Sequence, residues 1–326
     1  MIRRLVTALA VLALCACATP TFQTPFTPPV GFAGPHLEDN AFVSFDGARL
    51  GLSKWEATGE PWAVIVGLHG MNDYAMTFSR AAPYWAQQGI TTYAYDQRGY
   101  GRSPNRGVWA GRELIDHDVR TMVELVRARH PKAIIAVAGI SMGGAAAITA
   151  FADTDPPNAD RVILLSPAVW GWSTQPLPNR TALWVVGKTA PDLQLNPPKV
   201  ITRSHVPTDN ADELRRMSTD PLMLWGARTD TLYGMTNLMQ DAWKDTGKIK
   251  PPTLYLYGFR DAVIPRQAAV QAAARLKPGD RTGFYLDGYH LLLSDNQAPR
   301  VWADVVGFIR DPSKPLISGV VPIPAR

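Results

Sequence analysis

A continuous apolar run at 133–139, AIIAVAG, passes directly into Gly139-Ile140-Ser141-Met142-Gly143-Gly144 and then into an alanine-rich stretch that predicts a helix over 141–151. The run suits a strand buried on both faces. A G-x-S-x-G segment between such a strand and such a helix forces a sharp turn with no room for side chains beside the serine, hence Gly139 and Gly143. The consequence is a strained Ser141 whose hydroxyl stands at a helix N-terminus, where a nucleophile would sit. A Gly-Ser-rich helix start is the plainer alternative, and the strand-turn-helix context argues against it.

The rest of the chain repeats that alternation. Further β-rich runs lie at 41–45, 50–56, 63–68, 91–95, 161–165, 253–257 and 282–286, and helix-length segments at 77–88, 113–129, 266–275 and 299–309. This predicts an α/β fold with a mostly parallel eight-stranded sheet flanked by helices and joined by right-handed crossovers. The first two strands are too close for an intervening helix and should form an antiparallel hairpin at the sheet edge. The core is expected over 36–167 and 251–311. Between them, residues 168–250 are rich in Trp, Pro and Leu and too long for a structureless loop. They predict a cap inserted after the sixth strand, over the carboxyl ends of the strands where open α/β sheets bind ligands. The 326 residues are 46% hydrophobic and 19% charged, which excludes a disordered chain and a many-span membrane protein. Lys and Arg form no run able to track a phosphate backbone, so no nucleic acid partner is expected despite a net charge of +5.

A serine hydroxyl is a weak nucleophile without a base to take its proton. Six histidines are available. His36 lies in the N-terminal stretch, His117 and His130 fall with the helix at 113–129, His205 sits in the insertion, and His69 ends a strand before the serine. His290 follows the last predicted strand in Asp287-Gly288-Tyr289-His290, and is the expected base. An acid that orients it should follow a strand between Ser141 and His290, which selects Asp261 in Gly258-Phe259-Arg260-Asp261. Asp230, in the insertion, and Asp287, three residues from His290, better suit a cap or a turn. Negative charge on a tetrahedral intermediate needs donors, and Leu68-His69-Gly70-Met71-Asn72 closes the third predicted strand with a glycine that permits close backbone approach. The expected donors are the backbone amides of Met71 and Met142, with His69 holding the loop.

Taken together, HGMND (69–73), YDQRGYGRS (95–103), GISMGG (139–144), the Asp of GFRDAVIP (258–265) and DGYH (287–290) resemble the motifs of monoacylglycerol lipases and related lysophospholipases, within the serine aminopeptidase S33-like group of α/β hydrolases. The resemblance runs over about 41–310, and STDPLML (218–224) and TLYGMTNLMQ (231–240) look like that family's cap. It implies a capped α/β-hydrolase fold, a Ser141-His290-Asp261 triad, an acyl-enzyme intermediate and a lipid ester as substrate. Ile140 stands where the family usually has a histidine, which bears on substrate preference. Acyl transfer and peptide cleavage would use the same triad, and a non-catalytic lipoprotein module on this scaffold is a further alternative.

Other patterns carry less. Gly99-Tyr100-Gly101 lacks the third glycine of a dinucleotide fingerprint, and no H-E-x-x-H or cysteine pair suggests a metal, so no cofactor is expected. Arg98, Arg102, Arg106 and Arg112 should brace Asp96 and neighbouring loops. The apolar residues of the insertion should form the cap's own core, with Trp170, Trp184, Tyr233 and Leu238 as candidates for an acyl channel.

The N-terminus reads as a targeting segment. Arg3 and Arg4 precede an apolar stretch at 5–18 too short to span a bilayer but right for a secretory signal. Leu14-Cys15-Ala16-Cys17 resembles a bacterial lipoprotein signal, which implies removal of 1–16 and lipidation of Cys17. Ala18 and Thr19 then resemble signals sorted to an outer membrane, so an exported protein facing the periplasm is expected. Both cysteines lie here, leaving no disulfide to the folded domain. The Pro-rich stretch ending at Pro35 carries no charge and predicts an extended tether with a reach of about 50 Å. Residues 312–326 read as a tail or surface arm.

Overall fold

A computed structural model describes residues 19–196 and 205–324. In chain order the strands are β1 (His36–Leu37), β2 (Ala41–Val43), β3 (Arg49–Trp55), β4 (Ala63–Leu68), β5 (Ile90–Tyr95), β6 (Ile134–Ile140), β7 (Arg161–Leu165), β8 (Gln194–Leu195), β9 (Ala227–Arg228), β10 (Thr253–Gly258) and β11 (Arg281–Tyr285). The helices are α1 (Ala82–Gln87), α2 (Arg112–Arg129), α3 (Met142–Ala152), α4 (Leu177–Thr189), α5 (Ala211–Thr219), α6 (Thr229–Asp245), α7 (Arg266–Ala273) and α8 (Ala298–Arg310). Among the described residues nine strands form one sheet in the order β1-β2-β3-β5-β4-β6-β7-β10-β11, and β8 pairs with β9 in a separate ribbon. From β5 to β11 all neighbours are parallel, while β1, β2 and β3 run antiparallel at one edge.

The central strands are apolar at nearly every position because both sheet faces are covered. Successive side chains point to opposite faces. Val64, Val66 and Leu68 of β4, with Ile135 and Val137 of β6, join a core against α2, α3 and α6. Ala63 and Ile65, with Ala136, Ala138 and Ile140, join a second core against α1 and α8. Burial of each large aliphatic side chain stabilises by roughly 1.5–3 kcal/mol.

Two of the expected elements differ in the fold. The sheet has nine strands, because His36–Leu37 pairs with β2, so β1 holds the edge expected of the hairpin; two residues are too few to show alternation. The helix expected over 77–88 is a 3₁₀ turn, Ala75–Phe78, followed by α1. Pro83 has no N–H to give and its ring clashes with a carbonyl one turn earlier, so a continuous helix is broken there and α1 starts with Pro in its first turn.

The segment expected as a free tether is bound to the domain. Thr21 N–H donates to Asp230 Oδ2 (3.2 Å), Gln23 N–H to the Trp109 carbonyl (2.9 Å), Gln23 Nε2 to the Val108 carbonyl (2.7 Å) and Phe26 N–H to Asp46 Oδ2 (2.8 Å). It is a strap across cap and core. At the other end the C-terminal arm lies along β11, with Phe284 N–H donating to the Val321 carbonyl (2.9 Å), which covers an otherwise open sheet edge.

Candidate active site

β4 has β5 on one side and β6 on the other, so the loops leaving their carboxyl ends diverge and open a crevice. Leu68 of β4 lies opposite Gly139 of β6, Ile140 opposite Leu165 of β7, and Gly258 of β10 opposite Tyr285 of β11. This register sets the loops carrying Gly70, Ser141, Asp261 and His290 along one end of the sheet.

Ser141 has φ 52° and ψ −115°, a region that strains a residue with a side chain by about 1–3 kcal/mol. The surroundings hold it there. Its N–H donates to the Leu165 carbonyl (3.0 Å), and its carbonyl accepts from Ala145 N–H (3.0 Å) and Ala168 N–H (2.9 Å). A Cβ on Gly139 would lie 2.3 Å from the Gly143 carbonyl oxygen, and one on Gly143 would lie 2.1 Å from that of Leu68. Both positions therefore exclude every other residue. Met142 opens α3, so its N–H has no intrahelical partner.

Across from the elbow, a Cβ on Gly70 would lie 3.4 Å from Ser141 Cβ. The loop turns tightly, with Asp73 N–H donating to the Gly70 carbonyl (3.3 Å) and Asn72 at φ 66°, the left-handed position that such turns give to Gly or Asn. His69 is wholly buried and fixes the turn. Its Nε2 accepts from Gln97 N–H (2.8 Å), which leaves Nδ1 to donate to the Gly70 carbonyl (2.7 Å). Burial pushes its pKa down to about 4, so the ring is neutral at physiological pH.

His290 is 5% exposed. Its Nδ1 lies 2.8 Å from Asp261 Oδ2. The other oxygen, Asp261 Oδ1, accepts from Val263 N–H (2.8 Å) and Ile264 N–H (2.9 Å), so the carboxylate is held by the turn that leads to α7. Close packing of the two loops requires Gly258, where a Cβ would meet the Gly288 and Tyr289 carbonyl oxygens at 2.4 Å. Asp295, which the sequence reading did not single out, supports the base loop: its Oδ2 accepts from Tyr289 N–H (2.8 Å), and burial raises its pKa to about 6. No motif marks it.

The rival acids have other partners. Asp230 is buried against Arg228 (2.7 Å), and exposed Asp287 pairs with Arg260 (2.9 Å). Arg98 pairs with Asp46 and Asp118, Arg102 with Asp96, and Arg112 with Asp116 and Asp241, while Arg106 donates to the Pro221 and Leu222 carbonyls. Of the acyl-channel candidates, Leu238 is enclosed in the main core and Trp184 is 55% exposed, so those two share no lining. Tyr233 packs on Trp172 with ring centroids 5.2 Å apart, and half-buried Trp170 donates from Nε1 to the Thr174 carbonyl (3.3 Å). Cys15 and Cys17 lie outside the described residues.

Comparison with known proteins agrees with this architecture. The family model described as serine aminopeptidase, S33 (Hydrolase_4), matches residues 59–297. The monoacylglycerol lipase of Mycolicibacterium smegmatis is 25% identical over 285 residues, spanning 83% of this chain and 96% of that protein. The human monoglyceride lipase is 27% identical over 263 residues, spanning 79% of this chain and 83% of its own length. The crystal structure of the Paleococcus ferrophilus monoacylglycerol lipase superposes with a TM-score of 0.68 at 22% identity, covering 81% of this chain and 99% of the other. The chain thus belongs to the serine aminopeptidase S33 family and is a serine hydrolase with the α/β-hydrolase fold.

Proposed function

We propose that this chain is a carboxylic ester hydrolase of the monoacylglycerol lipase or lysophospholipase type, working through a Ser141-His290-Asp261 triad. The observation that carries the reading is a strained serine at a helix N-terminus on the same sheet end as a buried His–Asp pair 2.8 Å apart. Asp261 accepts from Nδ1–H of His290, leaving Nε2 to take the Ser141 proton as Oγ attacks the ester carbonyl. The backbone amides of Met71 and Met142 donate to the developing oxyanion. His290 then protonates the leaving alcohol, and water, deprotonated by the same histidine, releases the acid from the acyl-enzyme. Lipid-like esters are favoured as substrates by the relatives' printed activities. Cleavage of aminoacyl amides is the second reading, favoured by the family description.

The test is hydrolysis of monoacylglycerols, lysophospholipids, p-nitrophenyl esters of increasing acyl length and an aminoacyl amide, with Ser141→Ala alongside. Ester turnover should exceed amide turnover and fall roughly 10⁴-fold or more in the variant. Activity that survives the substitution contradicts the mechanism, and a preference for the amide contradicts the substrate class.

We also propose that residues 1–16 are a signal peptide and that Cys17 becomes a lipidated N-terminus on the periplasmic side of an outer membrane. The support is the Arg3-Arg4, apolar stretch and Ala16-Cys17 sequence; several acyl chains on one residue anchor stably where one is marginal. Cys17→Ser should yield soluble or unprocessed protein on fractionation. Unchanged membrane association of a processed Cys17→Ser protein counts against lipidation.

A further inference from the structure

The cap reaches the loop at 70–73 through hydrogen bonds that the triad chemistry does not use. Leu224 N–H donates to the Asn72 carbonyl (2.9 Å), and Tyr74 Oη donates to Asp220 Oδ2 (2.6 Å). Asp220 is the joint between two turns, since its Oδ1 accepts from Leu222 N–H (2.9 Å) and closes the cap's own turn. Arg216 Nη1 reaches the same carboxylate (3.3 Å), and Arg106 Nη2 holds the Pro221 and Leu222 carbonyls (3.1 and 3.2 Å). The opposite end of α5 is tied to the loop after His290: Asn210, its N-cap, donates from Nδ2 to the Ser294 carbonyl (2.8 Å), and Leu291 N–H donates to the Pro207 carbonyl (2.8 Å). One nine-residue helix, about 13 Å long, therefore spans from the base loop to the loop opposite the nucleophile.

We propose that α5 and the turn at 220–224 are a strut that fixes the loop carrying Met71, with Tyr74, Asp220 and Leu224 as its positioning residues. The inference rests on the reading above that Met71 N–H receives the oxyanion. The Asn72 carbonyl gripped by the cap shares a peptide plane with Asp73 N–H, which donates to the Gly70 carbonyl (3.3 Å), and that carbonyl shares the next plane but one with Met71 N–H, so with Asn72 held at φ 66° the Met71 donor cannot rotate without moving the cap turn. Oxyanion donors act only when their direction is set before charge develops. Loss of the strut should therefore lower the rate of acylation while leaving ground-state binding of a small ester intact.

The test uses a short p-nitrophenyl ester, a phenylboronic acid that forms a tetrahedral adduct, and a fluorophosphonate. Tyr74→Phe removes only an oxygen, whereas Leu224→Pro removes the donating N–H of the backbone contact together with a leucine side chain that packs on the main core. Each should lower kcat about 10- to 100-fold with KM within about twofold, and weaken boronate binding by a similar factor. Asp220→Asn, which keeps an acceptor for Tyr74, should retain more of kcat than Asp220→Ala. Unchanged kcat in Tyr74→Phe, or a loss confined to KM, overturns the strut. Should Leu224→Pro fail to fold, Tyr74→Phe decides alone. Failure of the triad reading on which both rest looks different, because the unsubstituted protein would then leave Ser141 unlabelled by the fluorophosphonate.

Discussion

Asp116, a side chain away from the chemistry, shows how burial and pairing compete at one residue. It accepts from Thr149 Oγ1 (2.7 Å) and from Arg112 Nε (3.1 Å), yet burial raises its pKa to about 7. Its charged form is thus less favoured in the folded protein than in the unfolded chain. Its contribution to stability is fully present below pH 3.8 and is lost as pH rises through about 7. Asp116→Asn removes that titration while keeping an acceptor for Thr149, and Arg112 keeps Asp241. The melting temperature of the variant relative to the parent should rise by several degrees between pH 5 and pH 8.5. A difference that stays flat, or that falls with pH, contradicts this account. Residues of the candidate triad were legible in sequence because each adjoins a strand end and sits in a short motif with glycines the packing demands. Asp295 was not, because no motif marks it: it matters through contacts made only in the fold, such as the one with Tyr289 N–H.

At the scale of elements, the central strands were readable because burial on both faces leaves uninterrupted apolar runs. β4 and β7 lie on the expected residues. The reading weakened wherever length or proline intervened. β1 has two residues and no pattern to detect. The broken helix before β5 follows from Pro83, whose missing N–H and ring outweigh the apolar periodicity on either side. α3 was legible as a helix, and its composition has a reason that only packing shows: residues 142–151 are all buried, so alanine and glycine admit α2, α6 and the sheet at close range. The cap was legible as an insertion from its length alone. Its hydrogen bonds to the loops at 70–73 and after His290 were beyond reach of spacing, since they join residues 84 to 152 positions apart.

The whole molecule is tied together by contacts far apart in sequence. Arg98 is fully buried between Asp46 and Asp118, each held by two hydrogen bonds. Breaking such a pair strands a buried charge at a cost of about 3–5 kcal/mol. The N-terminal strap completes this arrangement by placing Phe26 N–H on Asp46 and Thr21 N–H on Asp230 of the cap. Composition predicted an extended segment and could not predict that its backbone donors find these carboxylates. With Thr21 bound, only three residues lie between the strap and Cys17, a reach of about 14 Å over four Cα–Cα steps in place of about 50 Å, so an anchor at Cys17 would hold the cap side of the domain close to its membrane. The central claim, a nucleophilic Ser141 activated by His290, is tested most directly by treating the protein with an alkyl fluorophosphonate and locating the adduct by peptide mass spectrometry. A single adduct on Ser141, abolished in Ser141→Ala and formed far more slowly in His290→Ala, is the predicted result; an adduct on another residue, or ester turnover that continues with Ser141 fully modified, would contradict it.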